Sequence, residues 1–313
     1  MRFGVAALIA GYVLDLLLGD PEWLYHPVRL IGKLITCMEK RLRARGGNLR
    51  RSAVILTAVT VLTTMAAAAL ILWLLSLAGR IPLFIGMALL DWMGIAVTCM
   101  AKEARDVGKA LERGLPEART QVARIVGRDT QNLDEEEIVK ATVETVAENT
   151  TDGVVSPLFW GLLGGPVLLW GFKAASTLDS MVGYMDEKYR DIGWSSARLD
   201  DVLNYIPARL TALLMVCAAY LTGMDGKNAF RIVCRDHASH KSPNCAWSEA
   251  AAAGAMHIQL GGTHEYFGKP VEKPTIGDAD RPAERKDIRN ANRLLYVTSV
   301  LMTALAAAAG LLL

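Results

Sequence analysis

Two glutamates one helical turn apart are the first residues in this sequence whose spacing could do chemistry. Glu144 and Glu148 stand at i and i+4, so on a helix they share a face, and Asn149 and Asp152 follow in the run ENTTDG, where the helix should end. Oxygen donors at that density suit Mg2+ held together with nucleotide phosphates, because Mg2+ takes one or two carboxylates and keeps several waters. A solvated acidic face closed by a polar C-cap has the same spacing.

A second polar set runs from Lys173 to Arg209, where Asp179, Arg198, Asp200, Asp201 and Arg209 mix with aromatics at the edge of an apolar region. Arg209 lies in an otherwise apolar run, where an ionised side chain costs ~2.5–3.5 kcal/mol unless paired or hydrated. An ion pair with Asp200 or Asp201 would meet that cost, and so would an anion-binding role. The third set is RDHASHKSPNCAWSEAAAAGAMHIQLGG. Its Arg235, His240, Lys241 and Ser242 can donate to phosphate or carboxylate oxygens, with Asn244 and Glu249 completing a polar pocket beside Trp247. Cys234, His237, His240 and Cys245 fall in an order that matches no standard zinc finger, and an ordinary loop accounts for them equally. The chain has no G-x-x-x-x-G-K-[ST], strand-led G-x-G-x-x-G, H-E-x-x-H or G-x-S-x-G motif, so nucleotide chemistry here needs a nonstandard site.

The elements that must position these groups follow from hydropathy. Of the 313 residues, 52% are hydrophobic and 21% charged, too apolar for a typical soluble domain and too charged to lie wholly in a membrane. With 34 Lys+Arg against 32 Asp+Glu the formal charge is only +2, which gives nucleic-acid binding no electrostatic support. The five cysteines form no C-x-x-C pair and read as reduced thiols.

A bilayer crossing takes about 20 apolar residues as helix. Segments 3–19, 52–79, 81–100 and 294–313 are read as spans, and 153–172 and 202–224, interrupted by Pro157, Pro166, Pro207 and Arg209, as spans or re-entrant segments. Asp15 and Asp91 fall inside two of them. The first segment lacks the small-residue cleavage pattern of a signal peptide and is read as retained. Between Asp20 and Arg51, eight Lys/Arg (Arg29, Lys33, Lys40, Arg41, Arg43, Arg45, Arg50, Arg51) face three acids, which places 20–51 in the cytoplasm and the N-terminus outside. Parity then puts 102–152 and 225–293 in the cytoplasm and the C-terminus outside, provided that the two interrupted segments behave alike. The 102–152 stretch reads as amphipathic helices, with Asp134 and Glu137 as a capping pair before an apolar stripe that leaves Glu144 and Glu148 off it. The expected class is an all-α, polytopic helical membrane protein with amphipathic cytoplasmic helices.

The runs DLLLGDPEWLYHPVRLIG, ENTTDGVVSPLFWG, STLDSMVGYM and RLDDVLNYIPARL, then SPN followed by Trp247, Glu249 and LGG, together resemble the CobD/CbiB family of cobalamin biosynthesis over residues 14 to 262. The chain departs from that family at Lys241, where Pro is frequent, and at Cys245, Ala246 and Ser248 after the SPN run.

The resemblance implies an adenosylcobinamide-phosphate synthase of the cell inner membrane with its site facing the cytoplasm. Such an enzyme joins a corrinoid, adenosylcobyric acid, to (R)-1-aminopropan-2-ol or its O-phosphate, with ATP and Mg2+. On that reading Glu144, Glu148 and Asp152 hold Mg2+ and ATP, and Arg29, Arg198, Arg209 and Arg235 pair with phosphates or corrin carboxylates. Asp20, His26, Asp179, Asp200 and Asp201 position the amine or remove its proton. Expected partners are the two substrates, the lipid bilayer and later membrane enzymes of the pathway, with no nucleic acid. The competing class is a membrane transporter or sensor, which would also use Asp15, Asp91 and Arg209.

Overall fold

The computed structural model describes every residue except Met1, Glu22, Met185, Lys241, Phe267, Gly268 and Leu313, and every side chain except those of 264–270 as well. Lys241, expected above as an anion donor, lies outside the described residues. Thirteen α-helices are described: α1 Arg2–Leu18, α2 Pro27–Arg45, α3 Leu49–Leu77, α4 Arg80–Gly94, α5 Val97–Arg113, α6 Leu115–Val122, α7 Glu135–Asn149, α8 Ser156–Val182, α9 Trp194–Leu203, α10 Tyr205–Leu221, α11 Gly226–Asp236, α12 Cys245–Met256 and α13 Arg285–Leu312. A π-helical turn, Thr150–Val155, follows α7. Strands β1 Leu260–Tyr266 and β2 Lys269–Ile276 pair antiparallel, an element absent from the sequence reading.

Among the described residues, four helical runs are by length and composition long and apolar enough to cross a membrane: Leu49–Leu77, Arg80–Arg113, Glu135–Val182 and Arg285–Leu312. The expected first span coincides with α1, whose 17 residues fall short of that length. Exposed Leu62, Leu70, Trp73, Leu74 and Leu77 on α3 match a surface that faces lipid, where a helix satisfies its own backbone.

The chain divides into two units. The first comprises Met1–Ala96, Ser156–Asn204 and Thr303–Leu313. Within it Trp92 Nε1 donates to Gly19 O (3.0 Å) and Trp170 Nε1 to Leu90 O (3.0 Å), tying α1 and α8 to α4. Asp15 and Asp91 are fully buried. Neither carboxyl oxygen of Asp91 has a hydrogen-bond partner among the described residues.

The interrupted segment 153–172 does not continue as one straight helix. Gly164 (φ −145°, ψ 21°) and Gly165 (φ 63°, ψ −161°) leave helical geometry just before Pro166. An ideal Cβ on Gly161 would stand 3.3 Å from Leu169 Cδ1, whereas residues eight apart on a straight helix are separated by about 12 Å. The chain therefore doubles back at the two glycines, and Gly165 supplies the positive φ that an L side chain resists.

The second unit comprises Val97–Val155 and Tyr205–Met302. Helix α5 buries Ala101, Ala104, Val107 and Leu111 at helical spacing. Helix α7 starts on the expected capping box: Asp134 Oδ1 accepts from Glu137 N and Glu137 Oε2 from Asp134 N, both at 2.8 Å. Such a cap stabilises a helix by about 1 kcal/mol. The rest of α7 is enclosed, with Ile138, Val139 and every residue from Ala141 to Ala147 buried.

Candidate functional site: a buried acidic cluster in the second unit

The enclosure of α7 changes the meaning of its acids. Glu144 is not on a solvated face. Its Oε2 accepts from Arg128 Nη2, a buried pair, and its Oε1 accepts from Gly261 N at 2.8 Å. Gly261 has φ 77° and forms the bulge of β1, so the LGG run turns a backbone amide onto the glutamate. Glu148, one turn on, accepts from the Cys245 thiol (Sγ to Oε1 3.7 Å). The π-helical turn carries Asp152 into the same neighbourhood, where its charge acts on Cys245. Single π-helical turns recur at functional sites because the extra residue re-aims side chains.

Helix α12 brings Glu249 from the other side. Burial and then the charges of Glu144 and Glu148 hold its carboxyl well above the usual range, with Lys273 and Arg128 opposing. Burial, then Glu148, Glu249 and Asp152, likewise push the Cys245 thiol up, so it stays a protonated donor. Carboxyl groups thus outnumber Arg128 and Lys273, with Glu144 and Glu249 buried and Glu148 and Asp152 half-buried. Among the described residues no three His, Cys, Asp or Glu side chains are arranged as a metal cage. Mg2+ needs only one or two carboxylates and completes its shell with water and phosphate, a donor set that Glu148 and Asp152 could supply.

The loop before α12 joins this cluster to Arg209. Ser242 N donates to His240 Nδ1 (3.0 Å) and Asn244 N to Ser242 Oγ (3.3 Å). Arg209 Nη1 donates to Asn244 Oδ1 (3.2 Å) and to Tyr205 O (2.6 Å), and its guanidinium lies over the Tyr205 and Trp247 rings at 3.5 and 4.8 Å. These neutral partners replace the expected ion pair with Asp200 or Asp201. Arg235 is committed elsewhere: its guanidinium donates to Asp236 (2.6 and 2.8 Å) and Asp278 (2.6 Å), which also pairs with Arg231. The zinc reading fails because Cys234 is exposed and Cys245 faces Glu148.

The remaining expected residues lie in the first unit. His26 is the N-cap of α2, its Nδ1 accepting from Val28 N (3.2 Å), and it hydrogen-bonds the Met93 backbone as well. Burial holds its pKa below the usual histidine range, while Asp20 opposes and Lys173 and Arg29 reinforce the shift. Arg29 stands 5.8 Å from the Tyr25 ring. On α9, Arg198 lies 3.8 Å from Asp201, and Asp200 Oδ2 accepts from Asn204 Nδ2 (3.0 Å), whose Oδ1 accepts from Ser156 Oγ (2.6 Å). Asp179 O accepts from Gly183 N (2.7 Å) near the end of α8. Sequence reasoning missed Arg128, Lys173, Tyr205 and Lys273. Only Arg128 carried a hint, as a base sixteen residues before Glu144 in a segment without helical periodicity.

Helices of membrane-crossing length define a helical protein of membrane type, and its second unit holds a carboxylate cluster and a stacked arginine. Residues 8–295 match the family model described as CobD/Cbib protein. The chain is 50% identical over 303 residues to the cobalamin biosynthesis protein CobD of Geobacter metallireducens, covering 96% of this chain and 95% of that protein. It is 47% identical to the CobD of Listeria monocytogenes EGD-e (93% and 94% covered) and 47% identical to the cobalamin biosynthesis protein CbiB of Salmonella typhi (97% of each). No solved structure matches it significantly. The chain belongs to the CobD/CbiB family, and this membership supports a role in cobalamin biosynthesis.

Proposed function

We propose that the chain is an amide-forming ligase of the inner membrane, its site facing the cytoplasm, that joins adenosylcobyric acid to (R)-1-aminopropan-2-ol or its O-phosphate at the expense of ATP. The observation that carries this reading is the crowding of Glu148, Glu249 and Asp152 around Cys245, with Glu144 acting on Glu249, next in sequence to the asparagine that holds Arg209.

Amide formation from a carboxylate is uphill in water. The corrinoid carboxylate is therefore activated by phosphoryl transfer from ATP, and the amine displaces phosphate from the acyl phosphate, losing one proton. Mg2+ would supply charge neutralisation at the phosphates and would be held by Glu148 and Asp152, while Glu144, fixed by Arg128 and the Gly261 amide, sets the local negative field. Glu249 completes the polar pocket with Asn244. Arg29, Arg198 and Arg209 pair with phosphate or corrin carboxylate oxygens, and Asp20, Asp179, Asp200 and Asp201 position the amine. His240, Ser242 and Asn244 shape the loop. Co-purification with later membrane enzymes of the pathway is expected.

Replacing Glu148 by Gln tests the reading. The variant should insert into membranes as the wild type does and lose ATP-dependent amidation, and near-normal turnover would refute the assignment of Glu148 to the cation.

A further inference from the structure

Arg209 is held in an unusual way for a cation next to buried acids. Both Nη1 hydrogens are spent, on Tyr205 O and on Asn244 Oδ1. Its guanidinium lies against the Tyr205 and Trp247 rings, 3.5 and 4.8 Å from their centroids. No described carboxylate pairs with it. What is left is the edge formed by Nε and Nη2, the side-on fork that matches two oxygens of a phosphate or carboxylate. The residue is half-buried, and no described residue hydrogen-bonds its Nε or Nη2. Asn244 is well suited to cap α12, yet it makes no side-chain cap bond and spends its oxygen on the guanidinium instead. Trp247 is fixed in turn, its Nε1 donating to Pro243 O (3.2 Å) and its ring packed 4.4 Å from that of His237. A guanidinium with its ring contacts, its third nitrogen and its supports all fixed pays little ordering entropy on binding, and its orientation is set in advance.

We propose that the Nε–Nη2 edge of Arg209 is the receptor for a phosphoryl oxyanion in the second unit, with Asn244, Tyr205 and Trp247 as positioning residues. This deepens the ligase reading and rests on it for the identity of the ligand in the cell, but the receptor itself stands on the geometry of Arg209. A phosphoryl group there has its oxygens on the arginine, and Cys245, next in sequence to Asn244, donates to Glu148, which the ligase reading assigns to the cation.

The test uses the full chain purified in detergent with inorganic phosphate as the probe, by titration calorimetry. One site is expected. Arg209→Lys keeps the charge but loses fork and stacking and should weaken phosphate at least ten-fold, as should Arg209→Gln. Trp247→Phe keeps an aromatic face and should stay within three-fold, whereas Trp247→Ala should weaken binding at least five-fold. Glu148→Gln should bind phosphate as the wild type does, so a failure of the ligase reading and a failure of this one are separable. Gel-filtration behaviour and melting temperature show whether each variant is folded. Should Arg209→Lys misfold, Asn244→Ala reports on the same fork and should weaken phosphate at least three-fold. Binding by Arg209→Lys within two-fold of wild type would overturn the proposal. So would displacement of phosphate by acetate at equal concentration, which would make the edge a carboxylate receptor.

Discussion

Removing Arg128 is the sharpest structural perturbation of the site. Its side chain is 5% exposed and that of its partner Glu144 is 12% exposed, so Arg128→Leu strands a carboxylate where water can scarcely solvate it. Breaking one side of a buried ion pair costs about 3–5 kcal/mol. Glu144 keeps one good donor, the Gly261 amide at 2.8 Å, which argues for the lower end, about 3 kcal/mol. At about 2–4 °C per kcal/mol for a chain of a few hundred residues, the apparent melting temperature should fall by about 6–12 °C. Adding Glu144→Gln removes the stranded charge while leaving a carbonyl oxygen for Gly261, so the double variant should recover at least half of the loss. The assay is thermal unfolding in detergent of the wild type, both single variants and the double variant, read as a double-mutant cycle. Arg128→Leu melting within about 2 °C of wild type, or a double variant that merely sums the singles, would refute the burial of this pair as the anchor of the hairpin.

Two further expectations concern other parts of the fold. His257 bridges Asp280 (Nδ1, 2.9 Å) and Asp225 (Nε2, 3.1 Å), and these hydrogen bonds, that to Asp280 first, raise its pKa above 6.5. Stability from this clamp is fully present below about pH 6.5 and is lost as pH rises through the raised folded-state value. His257→Gln should therefore flatten that part of the melting-temperature profile, and an unchanged profile would contradict it. Gly165→Ala meets no close neighbour, since the nearest atom, Met87 Cε, is 3.8 Å from an ideal Cβ; its cost is the backbone conformation alone, about 1–3 kcal/mol. A melting temperature at or above that of wild type would show that the chain does not turn back as described.

Much of the fold was legible because it obeys simple periodicities. Uncharged runs marked α3 and α13, a run interrupted only by Asp91 marked α4, and Asp134 with Glu137 marked the start of α7. The break at Gly164–Gly165 was signalled by composition, but whether the chain went through or back depends on Leu169 meeting Gly161, which no local pattern encodes. The hairpin was hidden by Pro270 and Pro274 and by the bulge at Gly261, which disrupt the alternation that announces a strand. The acids at 144 and 148 were visible as a pair. Their burial was not, because Arg128 lies outside any helix and Gly261 acts through its backbone. Arg209 was visible as an anomaly in an apolar run, and charge alone suggested an aspartate, whereas its partners are a carbonyl, an amide and two ring faces.

Buried Asp15 and Asp91, the latter without a hydrogen-bond partner among the described residues, are what a transporter or sensor would also carry. The measurement that separates the classes is an amidation assay on detergent-solubilised protein given adenosylcobyric acid, aminopropanol phosphate and Mg2+ with ATP. A ligase forms the amide and releases phosphate with no sealed membrane present. Absence of product there, with substrate-dependent solute flux in reconstituted vesicles, would contradict the account.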